Sequence, residues 1–192
     1  MSDTMKRLGI LGRVMIARFI FVPTLAWNFL LARVLRLRRW WDEIDRQVIM
    51  GAFPFSFDVP RMAQAGIGAV VNMCEEYAGP IAAYRQAGIE QLRIPTIDFT
   101  PPTLEDVEKG VVFMQQQIAQ GRGVYVHCKA GRARSGTVVL CYLIAAKGMT
   151  PEQAQQQILR HRPHANPRLF QRSVVLEFHR KHGTAGTDRS LE

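Results

Sequence analysis

Short apolar runs that alternate with helical patterns constrain the fold more than any other feature of this sequence. Runs with the length of β-strands occupy residues 47–53, 67–73, 89–95 and 123–128. Elsewhere in the same region, apolar residues recur every three or four positions, as they do on the buried face of a helix. A chain that alternates strands with helices forms an α/β domain. We therefore predict the α/β class, with a central sheet flanked by helices.

Local signals mark where the later helices begin and end. Thr103 precedes an apolar pattern and has an acidic residue three positions later, which is typical of a helix N-cap. Residues 138–146 are apolar on all sides but too short to cross a bilayer, so they predict a central buried helix that Gly148 ends. A capping box with proline at the first helical position follows at residues 150–153. Apolar residues at every fourth position over 170–178 predict the last helix.

The segment VYVHCKAGRARSGTVV joins the last predicted strand to the buried helix. Cys128 ends the strand and Arg134 begins the helix, so residues 129–133 must curl tightly between them. A loop of this kind turns successive backbone N–H groups inward, and the helix N-terminus adds positive potential. Gly131 permits a positive φ or a close approach of the backbone. The loop is therefore predicted to bind a tetrahedral dianion.

Cys128 is the candidate nucleophile of this loop. A free thiol has a pKa of about 8.5 and is only a few per cent ionised at neutral pH. A helix terminus contributes about 0.3 to 2 kcal/mol, less than the roughly 4 kcal/mol that a three-unit shift requires, so the loop amides and Arg134 must supply the rest. The thiolate can attack phosphorus while Arg134 holds two equatorial oxygens in a bidentate fork. A phosphocysteine intermediate follows.

The second half of the reaction requires a proton donor and a leaving thiolate. Ser135 can hydrogen-bond the sulfur and help it leave, and His127 is expected to orient the loop. Asp98, in the proline-flanked segment PTIDFTPP after a predicted strand, is the best candidate for the acid that protonates the leaving oxygen. The structural alternatives are a turn or N-cap aspartate at Asp98 and a small core residue at Cys128.

The charge and the cysteines exclude several classes of partner. The chain carries a net charge of +9, and residues 1–40 hold eight Lys or Arg against the single acidic Asp3, so the rest of the chain is close to neutral. Nucleic acid is therefore not expected as a partner, whereas an anionic membrane surface suits this basic and apolar segment. Three cysteines without paired spacing predict neither a metal site nor a disulfide framework, and no cofactor is expected.

The N-terminal segment is predicted to be a membrane-associating helical arm. Residues 19–32 are uncharged but would span only about 21 Å as a helix, against a hydrocarbon core of about 30 Å. An interfacial helix is favoured, with the indoles of Trp27, Trp40 and Trp41 near the headgroups. A spanning helix, a helix packed on the domain and a removable transit peptide remain open. The chain divides into an arm at 1–40, a catalytic domain at 41–183 and a flexible tail at 184–192.

The stretch HCKAGRARS resembles the cysteine-dependent phosphatase signature H-C-x5-R-S/T, and Asp98 lies where the dual-specificity branch has its general acid. Within that branch, five further stretches are similar to the mitochondrial-type phosphatidylglycerophosphate phosphatases. They are FVPTLAW, IDRQVIMGAFPF, VVNMCEEY, LRIPTIDFT and VVLEFHRKH. The likeness runs from about Phe19 to His182.

This resemblance implies a dual-specificity phosphatase fold and hydrolysis of phosphatidylglycerophosphate to phosphatidylglycerol, the step that feeds cardiolipin synthesis. It implies Cys128 as nucleophile, Asp98 as acid, and a phosphate loop ending at Arg134 and Ser135. The residues implied to bind substrate are Lys129, Ala130, Gly131, Arg132 and Ala133 of the loop, with Lys129 and Arg132 on the remaining lipid phosphate, and Glu75, Glu76 and Tyr77 lining the site.

The resemblance also implies a location that depends on the host. A eukaryotic protein of this kind would lie on the matrix side of the mitochondrial inner membrane, and a bacterial one on the cytoplasmic face of the inner membrane. Two other functions stay open: a dual-specificity protein or phosphoinositide phosphatase that uses the arm only as a tether, and a catalytically silent module that binds phospholipids. The oligomeric state is not predicted.

Overall fold

The computed structural model describes Pro23, Ala26, Trp27, residues 29–35 and residues 37–183. In this part of the chain, five strands form one mixed sheet. They are β1 (Trp41–Asp45), β2 (Val48–Ala52), β3 (Ile67–Cys74), β4 (Glu90–Thr96) and β5 (Gly123–Cys128). The order across the sheet is β1-β2-β5-β3-β4. The strand β1 pairs antiparallel to β2, and the other neighbours are parallel.

Helices cover both faces of the sheet. The α-helices are α1 (Val59–Gln64), α2 (Ile81–Gln86), α3 (Leu104–Ala119), α4 (Arg134–Lys147), α5 (Pro151–His161) and α6 (Ser173–His182). A π-helical turn lies at Leu30–Val34, and 3-10 turns lie at Ser56–Asp58 and Leu169–Gln171. One buried cluster packs the four helices α3, α4, α5 and α6 against one face of the sheet. A second cluster packs α1 and α2 against the opposite face. The α/β class and the flanked central sheet are confirmed.

Alternating strand residues supply the two cores. Ala69 and Val71 of β3 belong to the larger cluster, and Val70 between them belongs to the smaller one. Successive side chains of a strand point to opposite faces, so a sheet covered on both sides needs apolar residues at nearly every position. This requirement explains the continuous apolar runs in the sequence. The helix α4 lies at the centre of the larger cluster and is buried from Arg134 to Ile144.

The predicted strands and helix signals agree with the structure. The four predicted strands correspond to β2, β3, β4 and β5. The Thr103 hydroxyl accepts a hydrogen bond from the Asp106 backbone N–H at 3.2 Å, and Gly148 ends α4 with a φ of 63°. Residues 150–153 form the predicted capping box at the start of α5. The strand β1 and the short helices α1 and α2 were not predicted.

Part of the arm meets the domain directly. The Trp40 side chain is only 5% exposed, and its indole N–H donates to the Phe53 carbonyl at 3.1 Å. The expectation that Trp40 lies among lipid headgroups is therefore wrong, because the domain buries its ring. Arg33 pairs with Asp58 at 2.5 Å and lies over the Trp40 ring at 4.8 Å. Trp27, by contrast, is 61% exposed.

Most of the predicted arm, including residues 1–22, and the predicted tail at 184–192 lie outside the described residues. Among the helices that the structure describes, none has the length and apolar character needed to cross a bilayer.

Candidate active site

The candidate site lies where the parallel strands end. The strand β5 ends at Cys128, β3 ends at Cys74 just before Glu75, and β4 ends at Thr96 just before Asp98. The carboxyl ends of parallel strands share one edge of a sheet, which is the usual position of ligand sites in open α/β folds. Residues that are far apart in the sequence therefore meet around the loop at 129–133.

The loop at 129–133, which we call the phosphate loop, is wedged against β2. Gly131 has a φ of 62°, a left-handed conformation that side chains disfavour. A Cβ atom at this position would lie 2.2 Å from the carbonyl carbon of Gly51 and 2.7 Å from the backbone nitrogen of Ala52. Both the backbone conformation and the missing space therefore require glycine here.

We expect Gly131→Ala to lower kcat/KM by about a hundredfold. The loop must move away from β2, and its backbone N–H groups then no longer point together at the bound phosphate. The left-handed backbone adds about 1 to 2 kcal/mol of strain. Urea unfolding and hydrolysis of a soluble phosphomonoester measure the two effects. Gly148→Ala is the matched control, since Gly148 also has a positive φ of 63° but has no atom within 4 Å of an added Cβ. Equal activity losses in the two variants would contradict the steric argument.

The Cys128 thiol lies at the base of this loop and is 4% exposed. Its sulfur is 3.3 Å from the Ser135 hydroxyl. Burial raises the pKa of Cys128, but the Arg134 guanidinium and hydrogen bonds from Ser135 and the Arg132 backbone outweigh this effect and lower the pKa to about 7. The thiol is therefore substantially ionised at neutral pH. The other two cysteines, Cys74 and Cys141, are buried, and burial raises the pKa of each.

Arg134 is fixed by groups from two other strand ends. Its Nη1 lies 3.0 Å from Oε2 of Glu76 and donates to the Thr96 carbonyl at 2.7 Å. Its Nη2 lies 3.0 Å from Oδ1 of Asp98. Burial disfavours the charged guanidinium, but Cys128, Cys74 and the two carboxylates more than compensate, so the pKa of Arg134 is raised. Arg134 is thus a permanent cation beside the sulfur, held in one orientation.

Asp98 lies at the mouth of the loop. Its Oδ2 pairs with Nζ of Lys129, while Oδ1 contacts Arg134. The next residue, Phe99, has a φ of 64° and a side chain that is 72% exposed. The Lys129 ammonium group lies 5.4 Å from the centre of the Phe99 ring. The structure therefore brings Asp98, Lys129 and Arg134 together, as the sequence-based prediction of an acid near the loop requires.

Arg162 braces the loop from outside, and the sequence analysis missed it. The side chain is 1% exposed, and its guanidinium donates to the carbonyls of Gly131 at 2.7 Å and Ala130 at 3.1 Å. It also pairs with Asp42 of β1 at 2.6 Å. Arg162 therefore fixes the orientation of two loop carbonyls, and with it that of the peptide groups to which they belong. No local pattern signals this contact, because Arg162 lies 31 positions after Gly131.

We expect Arg162→Met to destabilise the fold by about 3 to 5 kcal/mol, because the Asp42 carboxylate is left buried without its partner. Turnover should fall by about a hundredfold at temperatures where the variant is folded, since the loop loses its outer brace. Urea unfolding and steady-state kinetics test both effects. Arg168→Met, at an exposed position, is the control. Unchanged turnover in the folded Arg162→Met protein would contradict the bracing role.

The remaining predicted site residues occupy different positions around the loop. The Tyr77 hydroxyl donates to the Pro54 carbonyl at 2.8 Å, and Glu75 accepts at its carbonyl from Arg93 at 2.8 Å. Arg132 donates from Nε to the His164 carbonyl at 2.6 Å, so its side chain extends along the outer rim. The Ala133 carbonyl accepts from the Thr137 N–H in the first turn of α4 at 3.0 Å.

His127 has no charge to contribute near neutral pH. Its side chain is fully buried next to Tyr125, with ring centres 5.8 Å apart. Burial lowers the pKa of His127 to about 3, with a smaller contribution from the charge on Arg134. A buried neutral imidazole packs beneath the loop and does not supply protons at neutral pH.

The arrangement combines an ionised thiol, a fixed guanidinium and a curled loop with a carboxylate at its mouth. Such a group of side chains can attack phosphorus with sulfur and stabilise the charge on the equatorial oxygens. Asp98, whose carboxylate lies 3.0 Å from the same guanidinium, can supply a proton to a departing oxygen when it is protonated.

Comparisons with known proteins agree with this geometry. The dual specificity phosphatase catalytic domain matches residues 48–181. Phosphatidylglycerophosphate phosphatase PTPMT2 of Arabidopsis thaliana is 42% identical over 166 residues, which cover 85% of this chain and 73% of that protein. Phosphatidylglycerophosphatase and protein-tyrosine phosphatase 1 of Mus musculus is 39% identical over 175 residues, which cover 86% of this chain and 91% of the mouse protein.

Solved structures of PTPMT1 have the same fold as this chain. The crystal structure of PTPMT1 superposes with a TM-score of 0.67 at 38% identity, covering 74% of this chain and 95% of that chain. PTPMT1 in complex with PI(5)P superposes with a TM-score of 0.68 at 38% identity, covering 74% of this chain and 96% of that chain. The chain belongs to the dual-specificity phosphatase family, and it is a phosphatase.

Proposed function

We propose that this protein hydrolyses phosphatidylglycerophosphate to phosphatidylglycerol through a phosphocysteine intermediate. The observation that carries the proposal is the Cys128 thiol, whose pKa of about 7 results from Arg134 and the phosphate loop despite its burial. The lipid substrate is supported by the similarity to the Arabidopsis thaliana and Mus musculus proteins, whose names state that activity.

In the first step, the Cys128 thiolate attacks phosphorus and forms an S–P bond as the P–O bond to the glycerol breaks. Arg134 holds two equatorial oxygens of the phosphoryl group, and Glu76 keeps the guanidinium in place at 3.0 Å. The inward N–H groups of residues 129–133 bind the same oxygens. Lys129 and Arg132 are the candidates to meet the second phosphate of the substrate, with Tyr77 and Glu75 on the adjoining wall.

Asp98 is proposed to protonate the departing glycerol oxygen. In the structure its carboxylate contacts Arg134 Nη2, the group that the substrate phosphate would also bind. A dianionic phosphate competes for this guanidinium and leaves the carboxyl group free to face the leaving oxygen. In the second step a water attacks phosphorus and gives its proton to Asp98, and Cys128 leaves as a thiolate with help from the Ser135 hydroxyl at 3.3 Å.

The substrate and the basic arm support a membrane surface as the place of reaction. Each Lys or Arg near an anionic leaflet contributes about 1 kcal/mol of attraction. The mitochondrial inner membrane on its matrix side, or the inner membrane on its cytoplasmic face in a bacterium, is the proposed location. Cardiolipin synthesis is the proposed consumer of the product.

A comparison of two substrates tests the proposal. Purified protein should be given phosphatidylglycerophosphate in liposomes and a phosphotyrosine peptide at equal concentration, with Cys128→Ser as the blank for each. We expect a clear preference for the lipid in kcat/KM. A preference for the peptide would reject the lipid assignment and leave a dual-specificity protein phosphatase.

A phosphoinositide phosphatase is the second candidate, favoured by the PTPMT1 structure in complex with PI(5)P. Liposomes that contain phosphatidylinositol 5-phosphate belong in the same assay. Faster hydrolysis of that lipid than of phosphatidylglycerophosphate would support this candidate over the first.

A further inference from the structure

A second basic pocket opens on the surface next to the phosphate loop. Its volume is about 640 Å³, and it lies between the described end of the arm and the C-terminal end of α5. Five basic side chains line it: Arg38, Arg39, Arg160, His161 and His164. The sequence signals for the catalytic chemistry include none of these residues, and the fold alone brings them together.

Arg132 connects this pocket to the phosphate loop. Its Nε donates to the His164 carbonyl at 2.6 Å, and its own carbonyl accepts from the Asn166 N–H at 2.9 Å. Arg162 also connects the two, because it donates to the Gly131 carbonyl and pairs with Asp42, which lines the pocket. Hydrogen bonds and an ion pair therefore join two residues of the pocket lining, His164 and Asp42, to the phosphate loop.

The pocket holds more positive charge than its own carboxylate can offset. Of the described residues that line it, Asp42 alone is acidic, and Arg162 already pairs with it at 2.6 Å. Burial lowers the pKa of Arg132, and the charges of Arg38 and Arg162 lower it further. Burial also lowers the pKa of His164 to about 3, again with Arg162 and Arg38 contributing. Arg38 and Arg162 thus lie close enough to Arg132 to lower its pKa, and an anion among these guanidinium groups would relieve their mutual repulsion.

We propose that this pocket binds the phosphate group of an anionic phospholipid headgroup, separately from the lipid that is being hydrolysed. Arginine forks and imidazole N–H groups match the oxygens of a phosphodiester. A phospholipid is favoured over a soluble anion because Leu37, on the rim of the pocket, is 71% exposed and offers an apolar contact. The occupied pocket holds the phosphate loop against the bilayer next to its substrate.

Ring signals of the histidines provide a residue-resolved test that does not depend on hydrolysis. The full-length protein is titrated with short-chain phosphatidylglycerol, with short-chain phosphatidylcholine and with inorganic phosphate, while the imidazole resonances are followed by NMR. We expect phosphatidylglycerol to shift the His164 and His161 signals and to leave those of His179, on α6, unchanged. Shifts with inorganic phosphate alone would assign the pocket to a free anion and overturn the lipid proposal. No shift at His164 with any ligand would overturn the site itself.

Vesicle binding gives a second, independent readout. The double variant Arg38→Gln/Arg160→Gln should bind vesicles of phosphatidylcholine and phosphatidylglycerol roughly 25-fold more weakly, because each of the two basic residues contributes about fivefold. The control is Arg85→Gln/Arg180→Gln, which removes the same charge from two exposed arginines outside the pocket. Thermal unfolding checks that both variants are folded. Equal weakening in the two double variants would show that only net charge matters and would contradict a pocket.

Discussion

Cys128→Ser is expected to lower the hydrolysis of every phosphomonoester by roughly 10⁴-fold or more, because serine cannot supply an anionic nucleophile at neutral pH. The phosphate loop and Arg134 remain in place, so the variant should still bind phosphate. The Cys128 sulfur contacts Ser135 at 3.3 Å, and a serine hydroxyl fits the same space. Turnover and phosphate binding, measured on one preparation, separate the two properties.

The matched control for this variant is Cys141→Ser. Cys141 is also buried, on α4, and its substitution likewise replaces a sulfur by an oxygen, but away from the loop. We expect it to cost stability while turnover at a permissive temperature stays within a factor of about ten of the unmodified protein. A Cys128→Ser protein that retains comparable turnover would rule out the nucleophile.

Arg134→Lys carries the second-largest expected effect, a loss of about a thousandfold in kcat/KM. A lysine cannot span the contacts that Arg134 makes to Glu76, Thr96 and Asp98 at 3.0, 2.7 and 3.0 Å while also binding two phosphate oxygens. Its point charge also cannot reproduce the planar fork that matches the transition state. Much of the loss should therefore appear in kcat.

Arg122→Lys is the control for the exchange of arginine for lysine. Arg122 forms a surface pair with Glu90 at 3.4 Å, remote from the loop, and replacing it should leave kcat/KM unchanged within about twofold. An Arg134→Lys protein that behaves like this control would contradict the role of the guanidinium fork.

Local sequence signals were sufficient for the core of the fold and for the loop. Strands buried on both faces leave continuous apolar runs, and helix caps leave fixed spacings such as that of Thr103 and Asp106. The loop from Cys128 to Arg134 is contiguous, so its chemistry is contained in neighbouring residues. These features are encoded over a few positions and need no knowledge of the tertiary structure.

Features that depend on contacts between residues far apart in the sequence could not be predicted from local sequence patterns. The strand β1 has the sequence WDEID, and its three carboxylates are not typical of a β-strand. Its buried Asp42 is tolerated because Arg162 pairs with it. The helices α1 and α2 have six residues each, too few to show a helical period. Arg162 and Trp40 likewise owe their positions to tertiary packing.

Titration of the Cys128 thiol tests the central claim most directly. Ultraviolet absorbance of the thiolate can be followed from about pH 5 to about pH 9, with Cys128→Ser as the reference. Burial raises the pKa of Cys74 and Cys141, and it also raises the pKa of the four tyrosines, Tyr77 to about 12, so these groups add little signal in this range. We predict one transition with a midpoint near 7 that is lost in Cys128→Ser. A midpoint at about 8.5 or above, as in a free thiol, would contradict the claim that the loop holds an anionic sulfur.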